Sequence, residues 1–259
     1  AYRRSTFKGT ELTGKNRLPL AWIRGNGGVA KYLLGEDGTL TKTKSSWARL
    51  SHVLLTGSHK QFNKQRYWQT REGSGEQQKW IGESAAISVV EQVNSLKWIK
   101  RNERWIWASI MGGTMVAYDG KRPLWTTLWS GGKHGLPIPG GNARTLHTTE
   151  MGVFPIQWKD KVATMSPDKG APSVFWFPDV PHIQYVKAPL AIHVSYWHDQ
   201  FGKLMSAECL NLSGLDGKWL FDFTLPKVPS GWNSVRPHKL TGKASRIRSP
   251  RVSHSLGLQ

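Results

Sequence analysis

The sequence is poor in cysteine, short of acidic residues and without long apolar runs. Cys209 is the only cysteine among 259 residues, which excludes an intramolecular disulfide framework and a zinc site built from several cysteines. No stretch approaches about 18 consecutive apolar residues, so the sequence predicts no membrane-spanning helix. The N-terminal AYRRSTFKG has no apolar signal segment, but the chain does not begin with Met, so the earlier removal of a signal peptide stays open.

The shortage of acidic residues leaves a strongly basic chain. There are 17 Asp/Glu against 36 Lys/Arg, a formal net charge of +19, and much of the excess lies in residues 1–24 and 236–259. Residues 1–17 and 236–259 lack apolar periodicity, so we expect solvated basic tails that pack weakly and whose C-terminal part is dispensable for stability. The alternative is contact with an anionic partner such as nucleic acid, acidic lipid or a wall polymer.

Glycine-rich turns between short apolar runs predict a mainly β protein with few helices. In residues 18–95, the turns GNGG, GEDG and REGSGE separate about five candidate strands, which indicates a small SH3-like β barrel. Residues 96–103 look like a linker. Residues 104–235 form a second strand-rich unit, in which RWIWASIMGGTMVAYDGKRPLWTTLW predicts a three-stranded meander.

One segment of the second unit has helical character. In SGLDGKWLFDFTLP, Ser213 is a candidate N-cap, and Leu215, Trp219 and Leu220 are spaced to share one face. Pro226 is expected to end the helix.

The lone cysteine raises a question of chemistry. A catalytic cysteine needs a base or positive field that favours the thiolate, and His193 lies 16 residues before Cys209. AIHVSYW and MSAECLNL are candidate neighbouring strands in a hairpin-like excursion, which would bring the two residues together. The alternative is that Cys209 is a small buried apolar residue.

The segments AIHVSYWHDQFG and MSAECLN resemble the paired motifs of the L,D-transpeptidase catalytic domain of the YkuD type. The similarity extends from Arg104 to Trp232, includes HTTEMGVFPI and FPDVPHIQYV, and preserves order and spacing. It implies that Cys209 is the acyl-accepting nucleophile and His193 its general base. Asn211 matches the polar residue after the cysteine, and Ser206 matches the residue that opens the motif.

Three positions depart from that pattern. Ala207 stands where the family has a second His, Glu208 where it has the Gly before the Cys, and Val194 where it has the Gly after the first His. A carboxylate beside Cys209 raises the thiol pKa. We therefore expect the Glu208 side chain to turn away from the Cys–His line, leaving backbone N–H groups near Cys209 to receive an oxyanion.

Other residues are assigned by their place around the motif. Tyr185, Tyr196 and His198 are candidates to line the substrate cleft with Ser206, Ala207, Glu208 and Asn211. The run SGGKHGLPIPGG lacks phosphate-loop spacing and is interpreted as a flexible turn over the cleft. The remaining histidines lack metal-ligand spacing, so we predict neither a metal site nor a cofactor.

The resemblance implies a cell-envelope enzyme that acts on peptidoglycan stem peptides through a Cys thioester. One alternative is a catalytically impaired relative that binds peptidoglycan through the same cleft. A second is a nucleic-acid-binding β protein. The unit 96–235 has 15 Lys/Arg and 10 Asp/Glu, so the basic excess lies on the tails and specific nucleic-acid binding is not expected.

Overall fold

The computed structural model describes residues 5–93, 99, 103–167, 175–236 and 246–249. The chain divides into two compact units, one of Thr10–Lys97 and one of Ala1–Gly9 with Trp98–Gln259. The predicted module 18–95 falls inside the first unit, and the predicted unit 104–235 falls inside the second. Strands are the main regular structure of the described residues, which contain a single α-helix, and this confirms the mainly β fold class. No helix in this part of the chain is long and apolar enough to cross a membrane.

The unit Thr10–Lys97 is built from short strands around tryptophan-rich clusters. Its strands are β1 Thr10–Glu11, β2 Leu20–Ile23, β3 Val29–Leu34, β4 Leu40–Trp47, β5 His52–Phe62, β6 Gln65–Thr70, β7 Lys79–Gly82 and β8 Ile87–Val90, with a 3₁₀ helix Gly75–Gln77. Seven of them pair in the order β4-β3-β7-β6-β5-β2-β8. Closure of these strands into an SH3-like barrel stays a prediction.

The other unit contains two sheets and the helix. Its elements are β9 Arg104–Ser109, β10 Thr114–Asp119, β11 Arg122–Leu128, β12 Gly152–Pro155, β13 Trp158–Met165, β14 Phe177–Lys187, β15 Leu190–Val194, β16 Leu210–Leu212, α1 Gly214–Phe223, β17 Ser234–Val235 and β18 Arg246–Ser249. One sheet contains β11-β10-β9-β18-β12, and the other has the order β16-β15-β14-β13-β17. Apolar side chains from both sheets meet in one core, which includes Ile106 and Trp125 from the first and Ile192 and Leu210 from the second.

The antiparallel strands β9, β10 and β11 confirm the predicted three-stranded meander. The predicted helix is also present, and the Asp216 N–H donates to Ser213 Oγ at 3.1 Å in the expected N-cap. Leu215 was wrongly placed on the buried face, since it is 44% exposed. The helix instead approaches β15 through Gly217, where a Cβ would lie 2.3 Å from Val194 Cγ2.

The N-terminal segment is packed rather than loose. Phe7 is buried and stacks on Phe201 with ring centroids 5.6 Å apart. The Gly9 N–H donates to Asp216 Oδ1 at 2.7 Å, and a Cβ at Gly9 would lie 2.4 Å from the Thr126 carbonyl oxygen. The expected weak packing of residues 1–17 is therefore wrong around Phe7 and Gly9, because one aromatic side chain and one buried hydrogen bond anchor the chain without any periodic pattern.

The C-terminal segment also contributes to the fold. β18 pairs in parallel with β9 and antiparallel with β12, so it connects these two strands within the sheet. The expectation of weak packing is wrong for Arg246–Ser249, because backbone hydrogen bonds pair this strand with its neighbours whatever its charge. Residues 237–245 and 250–259 of that predicted tail lie outside the described residues.

We expect Phe7→Ala to lower the free energy of unfolding by about 3 kcal/mol, because it removes a buried aromatic side chain. The change is measured by urea denaturation of the full chain. Ile138→Ala serves as the control, since Ile138 is 62% exposed and its truncation is expected to cost less than about 0.5 kcal/mol. Equal effects of the two substitutions would contradict the packing of the N-terminal segment.

A chain that ends at residue 245 loses β18 and is expected to melt about 5 °C or more below the full chain. The physical reason is that β9 and β12 lose the strand with which both pair. A chain that ends at residue 249 is the matched control and keeps the strand. Melting temperatures of the two truncated chains within 1 °C or so of each other would contradict this role of β18.

Candidate active site

The parallel pair β15–β16 carries the candidate catalytic residues. Ile192 is opposite Leu210 and His193 is opposite Asn211 in its register. The motif strands are neighbours as predicted, but they are parallel rather than hairpin-like, because the connection crosses back before the second strand begins. Strand alternation sends Ile192 and Leu210 into the main core. His193 and Asn211 therefore point to the opposite face of the sheet.

His193 is held by its own strand. The ring is buried, and its Nδ1 lies 3.0 Å from the Val194 carbonyl oxygen. A carbonyl can only accept, so Nδ1 carries the ring proton and Nε2 is left with a free lone pair. Nε2 has no hydrogen-bond partner in the described chain. Burial lowers the pKa of His193 to about 4, which keeps the imidazole neutral at physiological pH.

Cys209 lies immediately before β16, on the same face as His193. Its side chain packs against a cluster that includes Ala191, Tyr185, Tyr196 and Trp197. The thiol donates to the Pro189 carbonyl at 3.7 Å rather than to His193. The pKa of the Cys209 thiol is raised to about 12, chiefly by burial. A hydrogen bond from the Ala191 N–H lowers this pKa, and the Glu208 charge raises it by a smaller amount. The resting sulfur is therefore a neutral thiol.

Glu208 is buried at 8% exposure, while Ala207 is exposed. Burial raises the pKa of Glu208, and Glu150 raises it further, while Arg144 and Lys187 lower it. Neither Glu208 nor Val194 has a positive φ, so their side chains introduce no left-handed backbone strain. Glu208 nevertheless interacts electrostatically with the thiol, so the expected turn away from Cys209 does not remove its influence.

Two hydrogen bonds of Ser206 hold the backbone that precedes Cys209. Ser206 Oγ donates to the Cys209 carbonyl at 2.6 Å, and the Ser206 N–H donates to the Gly131 carbonyl at 2.8 Å. By contrast, the N–H groups of Ala207, Glu208 and Cys209 donate to no group in the described residues. Consecutive free N–H groups beside a thiol are the donors that an oxyanion requires.

Gly131 and Gly132 belong to the segment SGGKHGLPIPGG that the sequence predicts to be a flexible turn, and hydrogen bonds tie the first residues of this segment to the site. Ser130 exchanges two backbone hydrogen bonds of 2.9 Å with Asn211, and the Lys133 N–H donates to the Ser206 carbonyl. Sequence reasoning also missed Thr149, whose Oγ1 donates to the Glu208 carbonyl and accepts from the Gly132 N–H, both at 2.8 Å. The only indication of this role in the sequence was that Thr149 lies in the segment HTTEMGVFPI. These contacts hold the backbone around Cys209 in place.

His198 lies within hydrogen-bond distance of the Asn211 side chain. The Gln200 N–H donates to Nδ1 at 3.2 Å, so the neutral ring carries its proton on Nε2, which lies 3.1 Å from both Ser195 Oγ and the Asn211 side-chain amide. Burial lowers the pKa of His198 to about 4. Asn211 Oδ1 is buried without a partner in the described chain, and turning the amide over would present it to this N–H. His198 is therefore a support for Asn211.

The predicted aromatic residues form a wall around the sulfur. The Tyr185 ring stacks on Trp158 at 4.3 Å, and burial raises the pKa of its phenol. The Tyr196 hydroxyl donates to the Pro178 carbonyl at 2.7 Å. Trp197 links this wall to the imidazole, with its ring 5.7 Å from that of His193. The fold thus places Tyr185, Tyr196 and Trp197 in one cluster with Cys209.

Among the residues that the structure describes, no group of three or more His, Cys, Asp or Glu side chains is arranged to hold a metal ion.

Comparisons with known proteins find similar structures only. No protein-family model and no curated protein sequence matches the chain. Solved L,D-transpeptidases are similar to it, among them the Enterococcus faecium C442S mutant at 17% identity and a TM-score of 0.41, which covers 62% of this chain. The L,D-transpeptidase from Mycobacterium smegmatis has 15% identity and a TM-score of 0.42, and the alignment covers 72% of this chain and 90% of that one. LD transpeptidase LdtMt1 in complex with imipenem has 14% identity and a TM-score of 0.42, with 76% and 97% covered.

The chain spans 55% of the length of the Enterococcus faecium protein. At these identities and TM-scores, the similarity transfers no activity, so the function has to be argued from the residues of the site.

The raised pKa of Cys209 predicts an unusual pH profile for its alkylation. The iodoacetamide rate is expected to climb through pH 8–11 without a plateau, because the thiol pKa is about 12. The urea-unfolded chain is the control, and its rate should level off above about pH 9, near the ordinary thiol pKa. A plateau below pH 10 or so in the folded chain would contradict the burial of the thiol.

Glu208→Gln is expected to raise the alkylation rate at pH 8 by about threefold, because removing the adjacent negative charge increases the thiolate fraction. Glu91→Gln is the control, since Glu91 is an exposed residue outside the site. An unchanged rate in Glu208→Gln would show that the carboxylate does not act on the sulfur.

Proposed function

We propose that the chain is a cysteine-dependent L,D-transpeptidase that acts on peptidoglycan stem peptides. The observation that carries the proposal is the placement of Cys209 and His193 on one face of the β15–β16 pair, beside three free backbone N–H groups. This arrangement supplies a nucleophile, a proton acceptor and oxyanion donors. It occurs at the motif that resembles the family, although Ala207 and Glu208 depart from the family pattern.

In the proposed reaction, Cys209 Sγ attacks the carbonyl carbon of an L-centre in a tetrapeptide stem. The thiol proton passes to His193 Nε2, and the carbonyl electrons move to the oxygen, which the free N–H groups stabilise. Collapse breaks the C–N bond to the terminal D-amino acid, whose amine takes the proton from His193. An acceptor amine, or water, then attacks the thioester and restores the thiol.

The charge states of the two residues define how the base operates. With a thiol pKa of about 12 and an imidazole pKa of about 4, a preformed thiolate–imidazolium pair is disfavoured. Proton transfer to Nε2 therefore accompanies the attack on the carbonyl rather than preceding it. The hydrogen bond from Nδ1 to the Val194 carbonyl fixes the tautomer that this transfer requires.

Because the proposed substrate is peptidoglycan, we propose that the protein acts in the cell envelope. The wall of Tyr185, Tyr196 and Trp197 shapes the side of the cleft next to the sulfur, and Asn211 and Ser206 hold the backbone there. We further propose that the unit Thr10–Lys97 is an SH3-like companion module. The basic tails, residues 1–17 and 236–259, supply additional contact with anionic wall polymer.

A second candidate function is binding of stem peptides without turnover. The surroundings of the sulfur favour it, because Cys209 packs in an aromatic cluster and its thiol hydrogen-bonds Pro189 rather than His193. Glu208 adds a charge that opposes both the thiolate and the oxyanion.

The deciding experiment is intact-mass detection of a carbapenem adduct. For an active transpeptidase, we expect the parent chain to gain the mass of one carbapenem and Cys209→Ala to gain none. His193→Ala is expected to slow adduct formation by about 100-fold, because the general base is lost. His59→Ala is the matched control, since His59 lies on exposed β5 in the other unit.

Binding of purified peptidoglycan sacculi is measured in parallel, with a salt-dependent DNA titration. Sacculus binding without an adduct would overturn the enzyme in favour of the second candidate. DNA binding without either would overturn both.

A further inference from the structure

A row of stacked side chains crosses the sheet β16-β15-β14-β13-β17 and ends at the candidate nucleophile. Trp158 on β13 is opposite Tyr185 on β14, and Tyr185 is opposite Ala191 on β15, so all three share one face of the sheet. Tyr185 and Cys209 belong to the same packed cluster, which also contains Ala191. The row therefore leads from the sulfur towards β17.

Arg236 forms the outer end of the row. It directly follows β17, and its guanidinium carbon lies 5.0 Å from the centre of the Trp158 ring. The Trp158 and Tyr185 rings are stacked, with centroids 4.3 Å apart and an interplanar angle of 22°. An arginine that lies on an aromatic face still has its planar fork of N–H donors to offer to a carboxylate.

The polar groups of the row are unpaired among the described residues. The Tyr185 hydroxyl, the Trp158 indole N–H and the Arg236 guanidinium donate to no acceptor there. Because Trp158 and Tyr185 are half-buried and Arg236 is exposed, one side of the row is open to solvent. Burial raises the pKa of the Tyr185 phenol, the charges of Asp160 and Cys209 raise it further, and Arg236 lowers it. The phenol therefore lies within electrostatic reach of both the sulfur and the guanidinium.

Arg236 carries its charge without a counter-ion in the described chain. The nearest carboxylate on this face is that of Asp160, two residues after Trp158, and it accepts from Ser234 Oγ at 2.6 Å. No described carboxylate lies within ion-pair distance of Arg236. The outer end of the row is thus a stacked, exposed cation that is complementary to an anion from outside the described chain.

The length of the row selects the part of a substrate that can lie on it. Two ring steps separate the guanidinium from Tyr185, and β15 and β17 are three strand spacings of about 4.8 Å apart. The leaving group of the proposed reaction is a single D-amino acid, whose carboxylate is two bonds from the scissile nitrogen and cannot span this distance. A substrate carboxylate at Arg236 therefore belongs to the acyl portion of the donor.

We propose that the row Tyr185–Trp158–Arg236 binds the acyl portion of the donor peptide and selects donors that carry a carboxylate on that side of the scissile bond. Arg236 pairs with the carboxylate, Trp158 packs against the intervening chain, and the Tyr185 hydroxyl donates to a peptide carbonyl near the sulfur. The identity of the ligand rests on the proposed function. The row determines which donors are accepted, while Cys209 and His193 determine how they react.

The test uses the full chain with Cys209→Ala, which prevents turnover, and with ¹⁵N-labelled indoles, among which Trp158→Phe identifies the Trp158 Nε1 resonance. The ligands are Nα-acetyl-γ-D-glutamyl-L-lysyl-D-alanine and the same peptide with its glutamyl α-carboxylate converted to an amide. We expect the acid to shift the Trp158 resonance saturably with a Kd of about 1 mM, and the amide to bind about threefold to fivefold more weakly. Equal affinity for the two peptides, or no saturable shift, would overturn the proposal.

Substitutions of Arg236 supply the second arm of the test, in the same Cys209→Ala chain. Arg236→Gln is expected to abolish the preference, so that the acid binds as weakly as the amide, whereas Arg236→Lys keeps the charge and part of the preference. Arg122→Gln is the matched control, since Arg122 is an exposed arginine on β11 in the other sheet, and we expect it to leave the preference unchanged. A preference for the acid that persists in Arg236→Gln would overturn the assignment of the carboxylate.

The carbapenem adduct separates this proposal from the proposed function. Preference for the acid without an adduct in the parent chain would support the row in a protein that binds stem peptides without turnover. An adduct together with equal binding of the two peptides would overturn the row and leave the transpeptidase standing.

Discussion

The parallel pairing of β15 with β16 is the constraint on which the candidate site depends. Because side chains alternate along a strand, the register that buries Ile192 and Leu210 in the core also places His193 and Asn211 on the other face. A shift of one residue would send His193 into the core and Leu210 out of it. The apolar core and the site are therefore fixed by the same set of backbone hydrogen bonds. The segment around Ser130 reinforces that register by bonding Asn211 from the other side.

The same packing that orders the site also restrains its chemistry. Cys209 is partly buried against aromatic residues, and this desolvation favours the neutral thiol over the thiolate. The imidazole is buried as well, and it stays neutral for the same reason. A buried neutral pair can react only if proton transfer accompanies bond formation. Glu208 makes this demand stricter, since its charge beside the sulfur also disfavours the thiolate.

Local patterns in the sequence were sufficient for the elements that depend on neighbours along the chain. Glycine turns defined the meander β9–β10–β11, and Ser213 defined the start of α1. Contacts between residues far apart in the sequence could not be predicted from these local patterns. Phe7 docks on Phe201, and β18 enters a sheet next to β9, although neither segment has a periodic pattern. Leu215 shows the same limit within a helix, since the close approach of Gly217 to Val194 decided which face is buried.

The sequence by itself determined the mainly β fold class and the order and spacing of the motif around His193 and Cys209. It also showed that a carboxylate, Glu208, directly precedes the thiol. Only the tertiary structure decided that the two motif strands run parallel, that His193 is fixed by Val194 and that His198 supports Asn211. It also decided the protonation of the thiol, because the pKa of Cys209 depends on burial among residues from β14, β15 and the connection before β16. Burial is a property of packed neighbours, and distances along the chain do not encode it.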